Sequence, residues 1–293
     1  MAAGASLLGL ALAGPSLPTT LPYIVLAAGD IADCRFAHSR ALAEDTAQLV
    51  EAELARTPRA AVLLLGDNVY DNGTASEFAN CYDPAWGAFK NRTRPVAGNH
   101  EYNTPGATGY FHYFGAAAGM GYYAVTLGSW RVISLDSNLR GEAAARQLDW
   151  LGRELHDNPA TCTLAYWHHP LYSSGGHVSN PVMQEVWRLL HQAGAELVLS
   201  GHDHDYERFA PQDAGGRLDA ARGIRQFVVG TGGAYTTPLR WPRPHSEVRD
   251  ANRTGVLKLV LGERGYTWEF LEASYDGFPN GPDADRGAGQ CHD

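Results

Sequence analysis

Residues 61–70 read AVLLLGDNVY. The apolar run before Gly66 is too short for a helix and has the length of a buried strand. Asp67 follows at once, with Tyr70 three residues further on. The same arrangement repeats outward in both directions. Upstream, Tyr23–Ala28 (YIVLAA) runs into Gly29-Asp30. Downstream, the weaker strand Thr93–Ala97 runs into Gly98-Asn99-His100, Thr163–Trp167 (TLAYW) into His168-His169, and Glu196–Leu199 through Ser200-Gly201 into His202-Asp203-His204. Helical stripes lie between these strands. Ala43, Ala47, Val50 and Leu54 mark one within Ser39–Arg56; Ala144, Leu148, Leu151 and Leu155 mark a second; Val182, Val186, Leu189 and Ala193 mark a third. Strands alternating with helices predict an α/β domain with a largely parallel core sheet.

Other strands lack intervening helices. Tyr122–Leu127 and Trp130–Leu135 flank Gly128-Ser129 as a hairpin, and Gln226–Val229, Val256–Leu261 and Tyr266–Leu271 follow late in the chain. These predict a second, mixed or antiparallel sheet. Residues 21–273 are expected to form one catalytic domain, and residues 274–293, rich in Gly, Pro and Asp, an irregular tail.

The chain has 293 residues, 44% hydrophobic and 19% charged, enough for a full-sized core and incompatible with wholesale disorder. The formal net charge of −9 argues against a basic nucleic-acid footprint and against a polybasic membrane-surface binder. Ala5–Gly14 is a short apolar run, well below the roughly 20 residues that span a bilayer, and Ala11-Leu12-Ala13 fits a small-residue cleavage pattern. No Lys or Arg precedes Arg35, so the positive start of a signal peptide is missing. Residues 1–20 are expected to be a signal peptide or leader, truncated at its start, with a secreted or periplasmic destination. Cys34, Cys81, Cys162 and Cys291 form no C-x-x-C pair. Behind an export signal an even count favours two disulfides, and Cys34–Cys81 with Cys162–Cys291 is the expected pairing.

Five strand ends would deliver Asp30, Asp67, Tyr70, Asn99, His168, His202 and His204 to one crevice, because ligands of open α/β sheets bind beyond the carboxyl ends of the strands. Packing alone would place Val or Leu there rather than Asp and His that must then be satisfied. Carboxylate, amide and phenolate oxygens mixed with imidazole suit iron, zinc or manganese, and a carboxylate can bridge two ions that clamp an in-line displacement at phosphorus.

The order G-D, G-D-N-V-Y, G-N-H-E, H-H-P-L-Y and G-H-D-H-D-Y-E-R closely resembles the calcineurin-like metallophosphoesterases, and within them the purple acid phosphatase branch. The resemblance covers about Tyr23–Arg208 together with Gly230–Gly233. Many relatives carry a histidine two residues after the first aspartate, where this chain has Ala32; the purple branch uses a tyrosine three residues after the second, here Tyr70. With about 20 residues before the first strand, the chain resembles the small form that lacks an N-terminal fibronectin-like domain.

The resemblance implies two facing mixed sheets with helices outside, and a binuclear centre of Fe(III) and a divalent Zn, Mn or Fe. Asp30, Asp67, Tyr70 and His204 would hold the ferric ion. Asp67 would bridge to the divalent ion, held also by Asn99, His168 and His202. A metal-activated hydroxide would attack a small-molecule phosphate ester in line. His100 would hydrogen-bond a phosphoryl oxygen, and His177 would protonate the leaving group. The implied activity is phosphomonoester hydrolysis, with phosphodiester or nucleotide cleavage and a metal-bearing binding protein without turnover as alternatives. His169 reads as structural or as a neighbour that supports the ligands, rather than as catalytic. Asp205 reads equally as a carboxylate holding a ligand histidine or as a solvated loop acid. Tyr102, Tyr110, His112 and Tyr113 read as pocket wall or as aromatic loop packing. Substrate preference is assigned to the loops 103–119, 173–180 and 211–223.

Overall fold

The computed structural model describes residues 21–177, 179–273 and 284–292; the expected leader lies outside them. Among the described residues, thirteen strands form two sheets. The first is ordered β13-β12-β11-β1-β2-β3, with β1 Tyr23–Ala28, β2 Ala60–Leu64, β3 Thr93–Arg94, β11 Gly255–Leu261, β12 Gly265–Glu272 and β13 Arg286–Gln290. The second is ordered β10-β8-β9-β7-β6-β5-β4, with β4 Tyr123–Leu127, β5 Trp130–Ser134, β6 Cys162–Tyr166, β7 Leu197–Ser200, β8 Tyr206–Phe209, β9 Arg225–Val229 and β10 Ser246–Asp250. Each sheet has a parallel centre (β1-β2-β3 and β5-β6-β7-β9) and antiparallel flanks. Two facing mixed sheets with helices outside are therefore present. The parallel strands are divided between both sheets rather than gathered in one, and the late strands β11–β13 join the first sheet.

Alternation of side chains along each strand builds the layers. On β1, Val25 and Ala27 enter the core between the sheets, where they meet Leu164, Leu199, Phe227, Leu257 and Trp268. Leu26 and Ala28 face the other way, onto Ala43, Ala47 and Val50 of the helix Ala37–Arg56. On the far side of the second sheet, Ala165 and Val198 pack against Leu151, Val186, Trp187 and Leu190 from the helices Gly141–Asp157 and Gln184–Gln192. Strands buried on both faces carry continuous apolar runs, which is why they stood out in the sequence.

Two expectations need correction, and a third resolves to one of its alternatives. Strand β3 stops at Arg94 rather than Ala97, because Pro95 has no N–H to continue the ladder. The tail is not irregular throughout: Arg286–Gln290 pairs with β12. Its glycines are what let it dock, since a Cβ at Gly287 would meet the Trp268 ring at 2.3 Å and one at Gly289 the Tyr266 ring at 2.3 Å. Tyr110 and Tyr113 belong to an aromatic cluster with Phe78, Tyr82 and Phe114, so packing accounts for them. Both expected disulfides form: Cys34–Cys81, and Cys162–Cys291, which ties β13 to the start of β6 across 129 residues. Among the described residues, no helix is long and apolar enough to cross a membrane.

Candidate metal centre

The carboxyl ends of β1, β2, β6 and β7 point to one place, joined by backbone bonds that cross between the sheets. Gly29 N–H donates to Val229 O (2.9 Å), and Gly29 O accepts the Gly232 N–H (2.9 Å). Asp30, Asp67 and His202 all adopt left-handed backbone conformations, with φ of 59°, 46° and 74°. Such conformations cost side-chain-bearing residues about 1–3 kcal/mol each and cluster at functional sites. The glycines of this region serve two ends. Gly66 has φ 86° and makes the turn out of β2. Gly98 is extended; it is required because a Cβ there would lie 2.1 Å from Asp67 Oδ1.

All seven expected metal ligands converge, and they fall into two sets. In one, the Tyr70 hydroxyl donates to Asp30 Oδ1 at 2.9 Å and lies 3.0 Å from His204 Nε2, which is itself 3.2 Å from Asp30 Oδ1. In the other, His168 Nε2 lies 3.0 Å from Asn99 Oδ1 and 3.2 Å from His202 Nδ1. Asp67 Oδ2 stands between the sets, 3.3 Å from the Tyr70 hydroxyl and 3.3 Å from His168 Nε2. His168 Nδ1–H donates to Leu65 O at 2.9 Å and His204 Nδ1–H to Tyr235 O at 2.6 Å. Those bonds fix the tautomer and turn each Nε2 lone pair inward, as in metal-binding histidines.

The donor set fits a pair of cations. Asp30 and Asp67 are both buried in one cluster, and buried carboxylates need opposite charge. Burial alone would raise the Asp67 carboxyl, but His168 and His100 hold it well below the usual carboxylate range. Burial would likewise lower His168, yet the Asp67 and Asp30 charges lift it to about 9. Burial, then the charges of Asp30 and Asp67, push the Tyr70 phenol well above its ordinary value. A nearby highly charged cation reverses that preference and favours phenolate. Among the described residues, Asp30, Asp67 and His168 form one group able to hold a metal, and His168, His169 and His202 another.

The two expected catalytic histidines flank these sets. His100 donates its backbone N–H to Asp67 Oδ1 (2.9 Å) and its Nδ1–H to Asp71 O (2.7 Å), which leaves Nε2 3.9 Å from Asp67 Oδ2. His177 is half-exposed, its ring 4.6 Å from that of His202 and 6.3 Å from that of His204. A hydrogen bond to the buried Asp203 carboxylate raises its imidazole above the ordinary value. His169 is buried with Nδ1 2.8 Å from Ser137 Oγ, and burial, followed by the neighbouring His168 charge, lowers it to about 3. Its ring packs against those of His168 and His202, as expected of a residue that supports the candidate ligands.

Asp205 holds no ligand histidine and is not solvated: it is buried, and neither carboxylate oxygen has a hydrogen-bond partner among the described residues. Two residues to which the sequence attached no role do hold the site. Asp203 binds His177, and Glu101 accepts N–H groups from Asn68 (2.9 Å), Val69 (3.2 Å) and Gly98 (2.7 Å). Glu101 stands three residues after Gly98, the spacing of a capping-box glutamate, and that spacing is the signal that could have found it. Burial, then the Asp67 charge, push its carboxyl up to about 8 against the pull of those donors.

Two mixed sheets that gather carboxylates, imidazoles and a phenol at their strand ends define a metallophosphoesterase. The chain belongs to the calcineurin-like phosphoesterase family, whose model matches residues 17–206. Within the family it is similar to purple acid phosphatases. It is 28% identical over 187 residues to purple acid phosphatase 15 of Arabidopsis thaliana, covering 50% of this chain and 35% of that one. It is 29% identical over 241 residues to an uncharacterized protein of Mycobacterium tuberculosis, covering 64% and 45%. The chain thus spans less than half the length of these curated relatives. A purple acid phosphatase from yellow lupin seeds shares the fold, with a TM-score of 0.71 and 18% identity over 94% of this chain and 55% of that one.

Proposed function

We propose that this chain is a binuclear phosphomonoesterase of the acid phosphatase type, with Fe(III) held by Asp30, Asp67, Tyr70 and His204 and a divalent Zn, Mn or Fe held by Asp67, Asn99, His168 and His202. One observation carries this reading: Asp67 Oδ2 is equidistant, at 3.3 Å, from the Tyr70 hydroxyl of one donor set and His168 Nε2 of the other. A carboxylate standing between two donor sets is placed where it could bridge two ions. When bound, the metal pair supplies an activated water and positive charge for in-line displacement at phosphorus.

The chain's own groups do the rest. His100, its Nδ1–H held by Asp71 O, donates from Nε2 to a phosphoryl oxygen as charge builds there when that nitrogen also carries a proton, that is, as an imidazolium. His177, at the exposed margin of the His202 set, donates a proton to the departing ester oxygen. Both disulfides support folding in an oxidising, extracytoplasmic compartment. A small phosphate ester is the proposed substrate. Monoester hydrolysis is tested against its diester alternative by comparing p-nitrophenyl phosphate with the bis ester. Faster hydrolysis of the bis ester would replace the proposal with a phosphodiesterase, and turnover of neither by metal-loaded protein would favour a binding protein.

Elemental analysis of unsupplemented protein is expected to find about two metal ions per chain, about one of them iron. Tyr70→Phe is expected to remove the visible absorption of an iron phenolate and to leave the fold intact. Among the described residues its hydroxyl hydrogen-bonds to the site residues Asp30, Asp67 and His204 alone, so no bond outside the site is lost with it. Colour that survived the substitution would show that Tyr70 does not bind iron.

A further inference from the structure

Asp203 stands between the proposed ligands His202 and His204, yet it bonds to neither of their rings. Its buried carboxylate reaches the opposite loop instead. Oδ1 accepts the His177 backbone N–H at 2.7 Å and lies 3.2 Å from His177 Nδ1; Oδ2 accepts the Ser173 hydroxyl. Ser173 Oγ in turn accepts the Gly175 N–H at 2.9 Å. Gly175 permits the approach, because a Cβ there would lie 2.4 Å from the Asp203 carboxyl carbon. One carboxylate thus draws residues 173–177 onto the turn that carries two metal ligands.

We infer that Asp203 is the positioning residue for His177. By occupying Nδ1 it leaves Nε2 as the ring nitrogen that reaches the ester oxygen, and by holding the loop it keeps that ring beside His202. The inference rests on the reading of the chain as a phosphoesterase with His177 as proton donor. In the step concerned, a water oxygen bonds to phosphorus as the ester P–O bond breaks. The departing oxygen takes the proton from Nε2, and solvent returns a proton to the imidazole. Phosphate and a neutral alcohol leave.

The dependence on leaving group separates positioning from a structural role, since a p-nitrophenolate departs without a proton and an alkoxide does not. In metal-loaded Asp203→Ala, kcat for an alkyl phosphate should fall by about 10²–10⁴, the usual contribution of a general acid, and kcat for p-nitrophenyl phosphate by less than about tenfold. His177→Ala should show the same selectivity, and the double variant should be no worse than either single one, as expected for residues acting as a unit. Asp203→Asn, which keeps an acceptor for Nδ1–H, should recover most of the loss. Gly175→Ala, which pushes the loop off Asp203 without removing a polar group, should reproduce the selective loss, and it stands in if Asp203→Ala does not fold. An equal loss on both esters, or a double variant showing the product of the single effects, would overturn the pairing. If His177→Ala spared both rates, the proton-donor role would fall and the pairing with it. Turnover of neither ester by the wild-type protein would instead overturn the parent reading.

Discussion

Asp67→Ala is expected to abolish phosphate ester hydrolysis and most metal binding, with kcat down by more than about a thousandfold. A single preorganised donor to a transition state is worth about 10²–10³ in kcat, and Asp67 does more than one donor's work. Its Oδ2 lies at equal distance from both donor sets, so its loss leaves two incomplete half-sites. Its Oδ1 accepts the His100 N–H, so the start of the short helix Asn99–Tyr102, and with it Asn99, loses an anchor. Metal content per chain and initial rates on p-nitrophenyl phosphate, measured on the same preparation, check this. The fold should survive, because β2 is held by β1 and β3 through main-chain pairing that does not involve the side chain. A variant that kept two metals and near-normal rates would refute the site.

The legibility of this protein in its sequence follows burial. Central strands such as β2 and β6 are covered on both faces and appear as unbroken apolar runs. The strands that went unseen are of another kind. Ser246–Asp250 and Arg286–Gln290 lie at the outer positions of their sheets, with no fully buried residue along their length, so no hydrophobic pattern marks them. Tyr206–Phe209 has Glu207 and Arg208 at its centre, and these drew notice as a motif rather than as a strand. The candidate ligands were legible for the opposite reason: Asp and His directly after apolar strands have no packing rationale. The residues that hold those ligands were not legible. Asp203 acts on a loop 26 residues earlier in the chain, and Glu101 on one 33 and 32 residues earlier, distances at which spacing carries no signal.

Glu101→Ala is expected to have the largest effect on stability. The side chain is buried and gives its oxygens to three N–H groups that have no other role in a strand ladder or helix: Asn68 and Val69 from the loop after β2, and Gly98 from the loop before Asn99. It is thus the clamp between the loop of Asp67 and Tyr70 and the loop of Asn99 and His100. An unsatisfied buried donor costs about 1–3 kcal/mol, so removing the clamp costs on the order of 3–9 kcal/mol, less what entering water restores. That is comparable with the whole stability of a typical domain, about 5–15 kcal/mol. Glu101→Gln keeps the shape and one acceptor oxygen, but its amide group must face either Gly98 N–H or the Asn68–Val69 pair, donor against donor. It should therefore fall between wild type and alanine. Urea midpoints give the stability order, and metal retention during dialysis gives the functional one, where loss of a group supporting metal ligands typically weakens binding about 10–100-fold. If Glu101→Ala stayed within about 1 kcal/mol of wild type and kept its metals, the loops would have to be held by their own backbone. The order alanine below glutamine below wild type, in stability and metal retention alike, would mean that one buried carboxylate sets both the fold of the two loops and the geometry of the metals they carry.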